Sequence, residues 1–275
     1  MTGVAIRPTE QAIDLPTVLQ DLTYQGFSKM DEFVPAAMLG ELRERLPRML
    51  ETYRATIGEE RLTRAGERNV LRCPMLFDPY VLEVLELPHL LALVDATVGP
   101  TAILHLQNCF LTPPRPEAEA SAFQEKWHPD IYRVVNKAVM SINVFIALDE
   151  FNGVSGATQV VPGTHQSEVP PTQAYLDAHH IDVNGPAGMA FAFDSTLWHR
   201  GGWNRSDKPR MAMNLQFTKS YMRQQFDYAR VVPNELADTL PERTRQLLGF
   251  YVRVPASLDE YYVPADRRLY RAGQG

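Results

Sequence analysis

Residues 188–219 read GMAFAFDSTLWHRGGWNRSDKPRMAMNLQFTK. The stretch begins and ends in short apolar runs, Met189–Phe193 and Met211–Lys219, with Gly201-Gly202 between them as a turn signal. Runs of this length bounded by turns predict buried strands, not helices. The pattern continues upstream in Thr101–Thr112, in the Val-, Ile- and Phe-rich Ala138–Leu148 and in Ala157–Val161. Pro113, Pro114 and Pro116, Asn152-Gly153, Pro162-Gly163 and Gly185-Pro186 separate these runs. No long helical pattern alternates with the strands, so a βαβ nucleotide-binding fold is excluded. A mainly β protein with flanking helices and a double-stranded β-helix core, a cupin-like jelly roll, is expected.

The flanks are helical. Pro35 opens a pattern in which Met38, Leu39, Leu42, Leu46, Met49, Leu50 and Tyr53 share one face, and Pro47 predicts a kink in it. A second stretch over 79–98 carries Leu82, Leu85, Leu90, Leu91 and Val94 and is expected to split or kink at Pro88. Residues 234–250 read as helix through Leu236, Leu240, Leu247 and Leu248, and residues 1–15 as loosely ordered. The expected organisation over 1–275 is one domain: a helical layer at 15–100, a jelly-roll core at 101–222 and a helical C-terminus at 231–275.

The chain has 275 residues, 45% hydrophobic and 22% charged, enough for a full core without staples. A net charge of −6 and no Lys/Arg-rich run argue against a nucleic-acid or membrane-surface partner. No apolar run reaches transmembrane length. Cys73 and Cys109 are expected as free thiols, and with no signal peptide evident the expected location is the cytoplasm. Oligomeric state is not legible.

The chemistry starts at Trp127-His128-Pro129-Asp130. Residues i and i+2 of an extended segment point the same way, and Pro129 disfavours helix at His128, so both side chains can meet one ion. His199 follows Asp130 by 69 residues, and Arg210 follows His199 by 11. Two imidazoles and one carboxylate form a facial triad of the kind that leaves three positions open on Fe(II) for O₂ and substrates. Arg210 offers a planar fork for the carboxylate of a co-substrate. His199 and Arg210 are expected on adjacent antiparallel strands joined by a turn. Taken singly, each residue has a plainer role: Asp130 capping a turn, His199 a satisfied core histidine, Arg210 a surface ion pair. The rival His180/Asp182 pair precedes His199 by only 17 residues from Asp182, too few for the intervening strands.

Four segments resemble the phytanoyl-CoA dioxygenase family of Fe(II)/2-oxoglutarate oxygenases. They are Leu22–Phe27 ahead of the 35–54 helix, the His128–Asp130 pair, Asn152-Gly153 followed by Val160-Val161-Pro162-Gly163-Thr164-His165, and His199 with Arg210. The resemblance implies that His128, Asp130 and His199 bind iron and that Arg210 binds the distal carboxylate of 2-oxoglutarate. Family members carry Ser or Thr two residues after the distal His; this chain has Gly201. The resemblance also implies a basic or amide side chain at the keto-acid end, for which Arg72 and Asn108 are the candidates. It gives the Pro162–His165 turn a structural role. Asp130 favours hydroxylation over halogenation, because related halogenases replace that carboxylate with a small residue. The implied reaction oxidises an unactivated C–H bond of a small molecule with O₂, releasing succinate and CO₂. A natural-product intermediate, an amino-acid derivative and an acyl compound all remain open as substrate. Two other functions stay open: a cupin-like metalloenzyme that does not use 2-oxoglutarate, and a catalytically silent binding protein of the same fold. Arg54, Arg61, Arg64, Arg68 and Arg72 either cover an anionic substrate or form a charged face balanced by Glu59, Glu60 and Glu67. Trp127, Ile131, Tyr132, Trp198 and Trp203 either line a pocket or pack.

Overall fold

A computed structural model describes residues 13–115, 126–135 and 138–274. Helix α1 (Leu15–Tyr24) leads into strand β1 (Phe27–Met30), then α2 (Ala36–Ile57), α3 (Glu59–Ala65), β2 (Val70–Arg72) and α4 (Pro88–Thr97). The strand-rich half follows: β3 (Ile103–Thr112), β4 (Ser141–Ala147), β5 (Gln159–Val160), α5 (Gln173–His179), β6 (Ile181–Asp182), β7 (Ala190–Asp194), β8 (His199–Arg200) and β9 (Arg210–Thr218). Short helical turns complete the chain.

The strands form two antiparallel sheets, one of six in the order β1-β7-β4-β9-β3-β2 and one of three in the order β6-β5-β8. This is the jelly-roll architecture expected from the alternation of short apolar runs and turns. Side chains alternate across a strand, so each strand of the large sheet serves two layers. Met213, Leu215 and Phe217 of β9, Ile142, Val144 and Ile146 of β4, and Ala190 and Ala192 of β7 pack against the helices in the main core. Met38, Leu42, Leu46, Met49, Leu50 and Tyr53 of α2 are buried in that core, as their spacing requires. The opposite face carries Phe145, Phe191, Phe193 and Ala212, which pack with Val160 and Leu197 from the small-sheet side. Arg210, Asn214 and Gln216 alternate onto this inner face too, and the site develops there.

Several boundaries differ from expectation. Pro47 lies inside α2, which runs 22 residues without interruption. Pro47 faces solvent, where water can satisfy the carbonyl that its missing N–H leaves, and buried residues on both sides hold the helix together. The 79–98 stretch does split at Pro88, into a 3-10 segment Pro79–Glu86 and α4. Residues 234–250 form two short helices, Asn234–Ala237 and Glu242–Leu247, because Pro241 starts the second. Of the 1–15 segment, residues 1–12 lie outside the described residues and Leu15 already begins α1; Pro116 also lies outside. Cys73 and Cys109 are buried free thiols, and burial pushes both up to about 12. No helix among the described residues is long and apolar enough to cross a membrane.

Candidate active site

His128 and His199 are joined backbone to backbone: each N–H donates to the other's carbonyl at 3.0 Å. This bridge extends the small sheet by one residue pair and puts the two rings 4.5 Å apart. Asp130 follows two residues on, and the Nε2 atoms of both histidines stand 4.0 Å from its Oδ1. One ligand atom from each of the three residues lies within 4.8 Å of the others, a spacing one metal ion can span. Each Nδ1 is turned to a carbonyl two residues upstream, His128 to Lys126 at 2.7 Å and His199 to Leu197 at 3.0 Å. A carbonyl only accepts, so Nδ1 carries the proton and the Nε2 lone pair points inward, as a metal ligand requires. Burial pushes the His199 pKa below its ordinary value, with Asp130 pulling it up and His128 pushing it down. Neutral imidazole is the ligating form.

The second oxygen of Asp130 is held from behind. Asn143 Nδ2 on β4 donates to Asp130 Oδ2 at 2.7 Å and to Ser195 Oγ at 2.9 Å. Asn214 Nδ2 on β9 donates to Asn143 Oδ1 at 3.0 Å, and Gln216 Nε2 reaches the Ser141 and Ser195 hydroxyls. Sequence reasoning missed this network. Its signal was there: Asn143, Asn214 and Gln216 interrupt otherwise apolar strands at inward positions, where an amide must find partners.

Arg210 opens β9 opposite Thr112. It is buried, its Nη1 donates to the Gly156 carbonyl, and its guanidinium lies 4.3 Å over the Phe151 ring. Thr112 Oγ1 is 3.5 Å from Nη2, while Nε is buried with no partner, and no carboxylate pairs with the group among the described residues. Burial pushes its pKa down to about 10, against the attraction of Asp149, so the group stays charged at neutral pH. A buried guanidinium with an unmatched donor costs stability unless an anion completes it. His199 and Arg210 do not lie on adjacent strands, contrary to expectation. β8 belongs to the small sheet and β9 to the large one, and Arg210 reaches across to the Gly156 carbonyl ahead of β5. Gly201 has no hydroxyl to offer; the hydroxyl beside this guanidinium belongs to Thr112.

Arg72 and Asn108 are cross-strand partners on β2 and β3, in the same row as Asn214 and Phe145. Arg72 gives Nε and Nη2 to Glu67 at 3.0 and 2.5 Å. Its Nη1 meets the Asn108 amide at 2.7 Å, as an acceptor once the amide is turned oxygen-first, and Gln225 Oε1 at 3.5 Å. Three of the five arginines in the arginine-rich segment pair with its glutamates, Arg64 with Glu60, Arg68 with Glu59 and Arg72 with Glu67, while Arg54 donates to the Arg68 carbonyl and to Asn69 Oδ1. The rival pair stays apart from the triad, with Asp182 accepting from Gln159 and His180 turned to the Asp177 carbonyl.

Trp127 packs on Val161 and Leu176, donates to Asp177 at 2.9 Å and lies under Arg200 at 4.2 Å. Trp203 donates to the Arg115 carbonyl. Tyr132, 73% exposed, meets Trp198 edge-on beside the ligands. The Pro162–His165 turn staples the distal segment: Trp198 N donates to Thr164 Oγ1 at 3.1 Å, and Thr196 Oγ1 to the His165 carbonyl at 3.1 Å.

The family model described as phytanoyl-CoA dioxygenase (PhyH) matches residues 22–212. An uncharacterized protein of Mycobacterium tuberculosis is 44% identical over 267 residues, covering 97% of this chain and 98% of that protein. The dioxygenase af480 of Aspergillus fumigatus is 26% identical over 273 residues, covering 89% and 86%. Two solved structures share the fold. One is a non-heme monooxygenase, the ThoJ–Ni complex, with a TM-score of 0.58 and 17% identity over 74% of this chain and 78% of that one. The other is the alpha-ketoglutarate-dependent epimerase SnoN from nogalamycin biosynthesis, with a TM-score of 0.56 and 16% identity over 74% and 82%.

Proposed function

The chain belongs to the phytanoyl-CoA dioxygenase family of non-haem iron oxygenases, and we propose that it hydroxylates, or otherwise oxidises, a C–H bond of a small molecule using Fe(II), O₂ and 2-oxoglutarate. The observation that carries this reading is Arg210: a buried guanidinium with an orphaned Nε and, among the described residues, no carboxylate paired with it, in the sandwich that also holds the three candidate ligand side chains. Bound Fe(II) and 2-oxoglutarate would supply O₂ activation and the oxidising equivalent, with succinate and CO₂ as co-products. His128, Asp130 and His199 would hold the metal through two Nε2 atoms and Oδ1. Arg210, still charged at neutral pH despite its burial among Phe151, Gly156 and Thr112, would pair with the distal carboxylate. Arg72 and Asn108, already on the inner face, would meet the keto-acid end through Nη1 and the amide. Phe145, Phe191 and Phe193 keep the inner face dry, which strengthens each charged contact. Asp130 at the ligand position supports oxygen transfer over halogenation.

Anaerobic titration of the Fe(II) protein with 2-oxoglutarate, followed by succinate detection in air, tests the proposal. His128→Ala is expected to abolish turnover, and Arg210→Ala to raise KM for 2-oxoglutarate at least tenfold, the loss of about one charged hydrogen bond. Full turnover by folded His128→Ala removes the metal assignment; an unchanged KM removes Arg210 from its role.

A further inference from the structure

We propose that a pocket of arginines in the C-terminal segment binds a diphosphate group, free or esterified, at a site separate from the iron cavity. The pocket has a volume of about 470 Å³ and is lined by Arg245, Arg253, Arg267, Arg268 and Arg271, with Asp266 as its one carboxylate. Its walls are held by backbone pairing: Arg253 N donates to the Leu269 carbonyl at 3.0 Å and Arg271 N to the Tyr251 carbonyl at 2.9 Å. The helix carrying Arg245 sends Leu247 and Leu248 into the main core, on the helix side of the large sheet, whereas Arg210 and Asn214 occupy the other face.

The charges are poorly matched. Arg271 pairs with Glu242 and lies 3.5 Å over Tyr251. Among the described residues, Arg253, Arg267 and Arg268 form no ion pair, and Arg245 Nε is buried without a partner. Set against Asp266 and Glu242, the five guanidinium groups leave three positive charges unbalanced, in a chain whose net charge is −6. Like charges gathered in one concavity repel each other and attract an anion of matching charge. Guanidinium forks fit phosphate oxygens in pairs. The volume exceeds what a single phosphate fills, and a diphosphate brings comparable opposite charge and enough acceptors for several forks.

The test titrates the metal-free full chain with inorganic pyrophosphate, ADP and inorganic phosphate at fixed ionic strength. One saturable site is expected for pyrophosphate or ADP, at least about tenfold weaker in Arg253→Ser and in Arg267→Ser/Arg268→Ser, in line with the worth of a charged hydrogen bond. Arg267 and Arg268 are exposed and form no ion pair among the described residues, so the double variant is expected to keep the wild-type melting temperature. Tighter binding of ADP names an esterified ligand and tighter binding of pyrophosphate a free one; both support the site. Four results overturn it: no saturable binding, phosphate bound as tightly as pyrophosphate, affinity untouched by the pocket variants, or binding lost in Arg210→Ala. The last would move the anion to the iron cavity.

Discussion

Asn143→Ala isolates the support behind the candidate ligand set without touching a ligand. Asn143 is fully buried, and its amide makes three contacts: to Asp130 Oδ2 at 2.7 Å, to Ser195 Oγ at 2.9 Å and from Asn214 Nδ2 at 3.0 Å. The first is a hydrogen bond to a carboxylate, worth about 1.5–3 kcal/mol. Its loss frees Asp130 to rotate away from the two Nε2 atoms, and at 1.4 kcal/mol per decade metal affinity should fall about 10–100-fold, the range seen for groups that orient metal ligands. The third contact bears on stability. Truncation leaves the half-buried Asn214 amide, whose buried Oδ1 already lacks a partner, without its acceptor at a cost of about 1 kcal/mol. In a domain of this size that is a drop of a few degrees in Tm for the metal-free protein. The assay is calorimetric titration of metal-free protein with Mn(II) as a redox-inert stand-in, alongside thermal melts with and without metal. An affinity within twofold of wild type would refute the reasoning, even if the melt moved, because packing loss alone lowers Tm without loosening the carboxylate.

Gly156→Ala should damage the Arg210 pocket from outside it. Gly156 has φ +79°, and a Cβ there would meet the backbone of Trp203 and Asn204 at 2.6–2.7 Å, so the carbonyl that holds Arg210 must move. Destabilisation above about 2 kcal/mol in urea melts is expected, because left-handed strain and an immovable clash add; a smaller effect counts against the backbone link. Thr112→Val should weaken 2-oxoglutarate binding severalfold in the anaerobic titration, and Gly201→Ser should restore it by returning a hydroxyl from the position family members use; no loss in the first variant would mean that the Thr112 hydroxyl is idle. Acid should destabilise the metal-free protein. Burial lowers the pKa values of His89, His105 and His199 below their ordinary 6.5. As pH falls through 6.5 the unfolded chain therefore takes up protons that the folded protein refuses, and stability falls with it. The urea midpoint should drop between about pH 7 and 5.5, and a flat or rising midpoint contradicts the assignment.

Local pattern was enough for much of this protein. The strands β3, β4, β7 and β9 announce themselves as apolar runs between turn residues, and α2 as a 3.6-residue stripe, because burial of one face leaves a period in the chain. The His128-Pro129-Asp130 spacing carried its own geometry, since an extended tripeptide aims its outer side chains together. Other features depend on partners distant in sequence. β2, β5, β6 and β8 are two or three residues long, too short to show a period, and exist only because a neighbour pairs with them. Pro47 reads locally as a kink, but packing on both sides of it keeps α2 whole. Arg210 and His199 look like neighbours across a turn and instead stand in different sheets. Asn143 behind Asp130, and Thr112 in place of a hydroxyl at 201, involve residues 13 and 89 positions apart, distances over which side-chain hydrogen bonds leave no trace in a single sequence. Residue types and their spacing thus pointed to the candidate ligand set and to the sheet-rich fold. Which groups stand behind those ligands, and which charges stay unmatched, was settled when the two sheets closed on one another and burial made every unpaired polar atom costly.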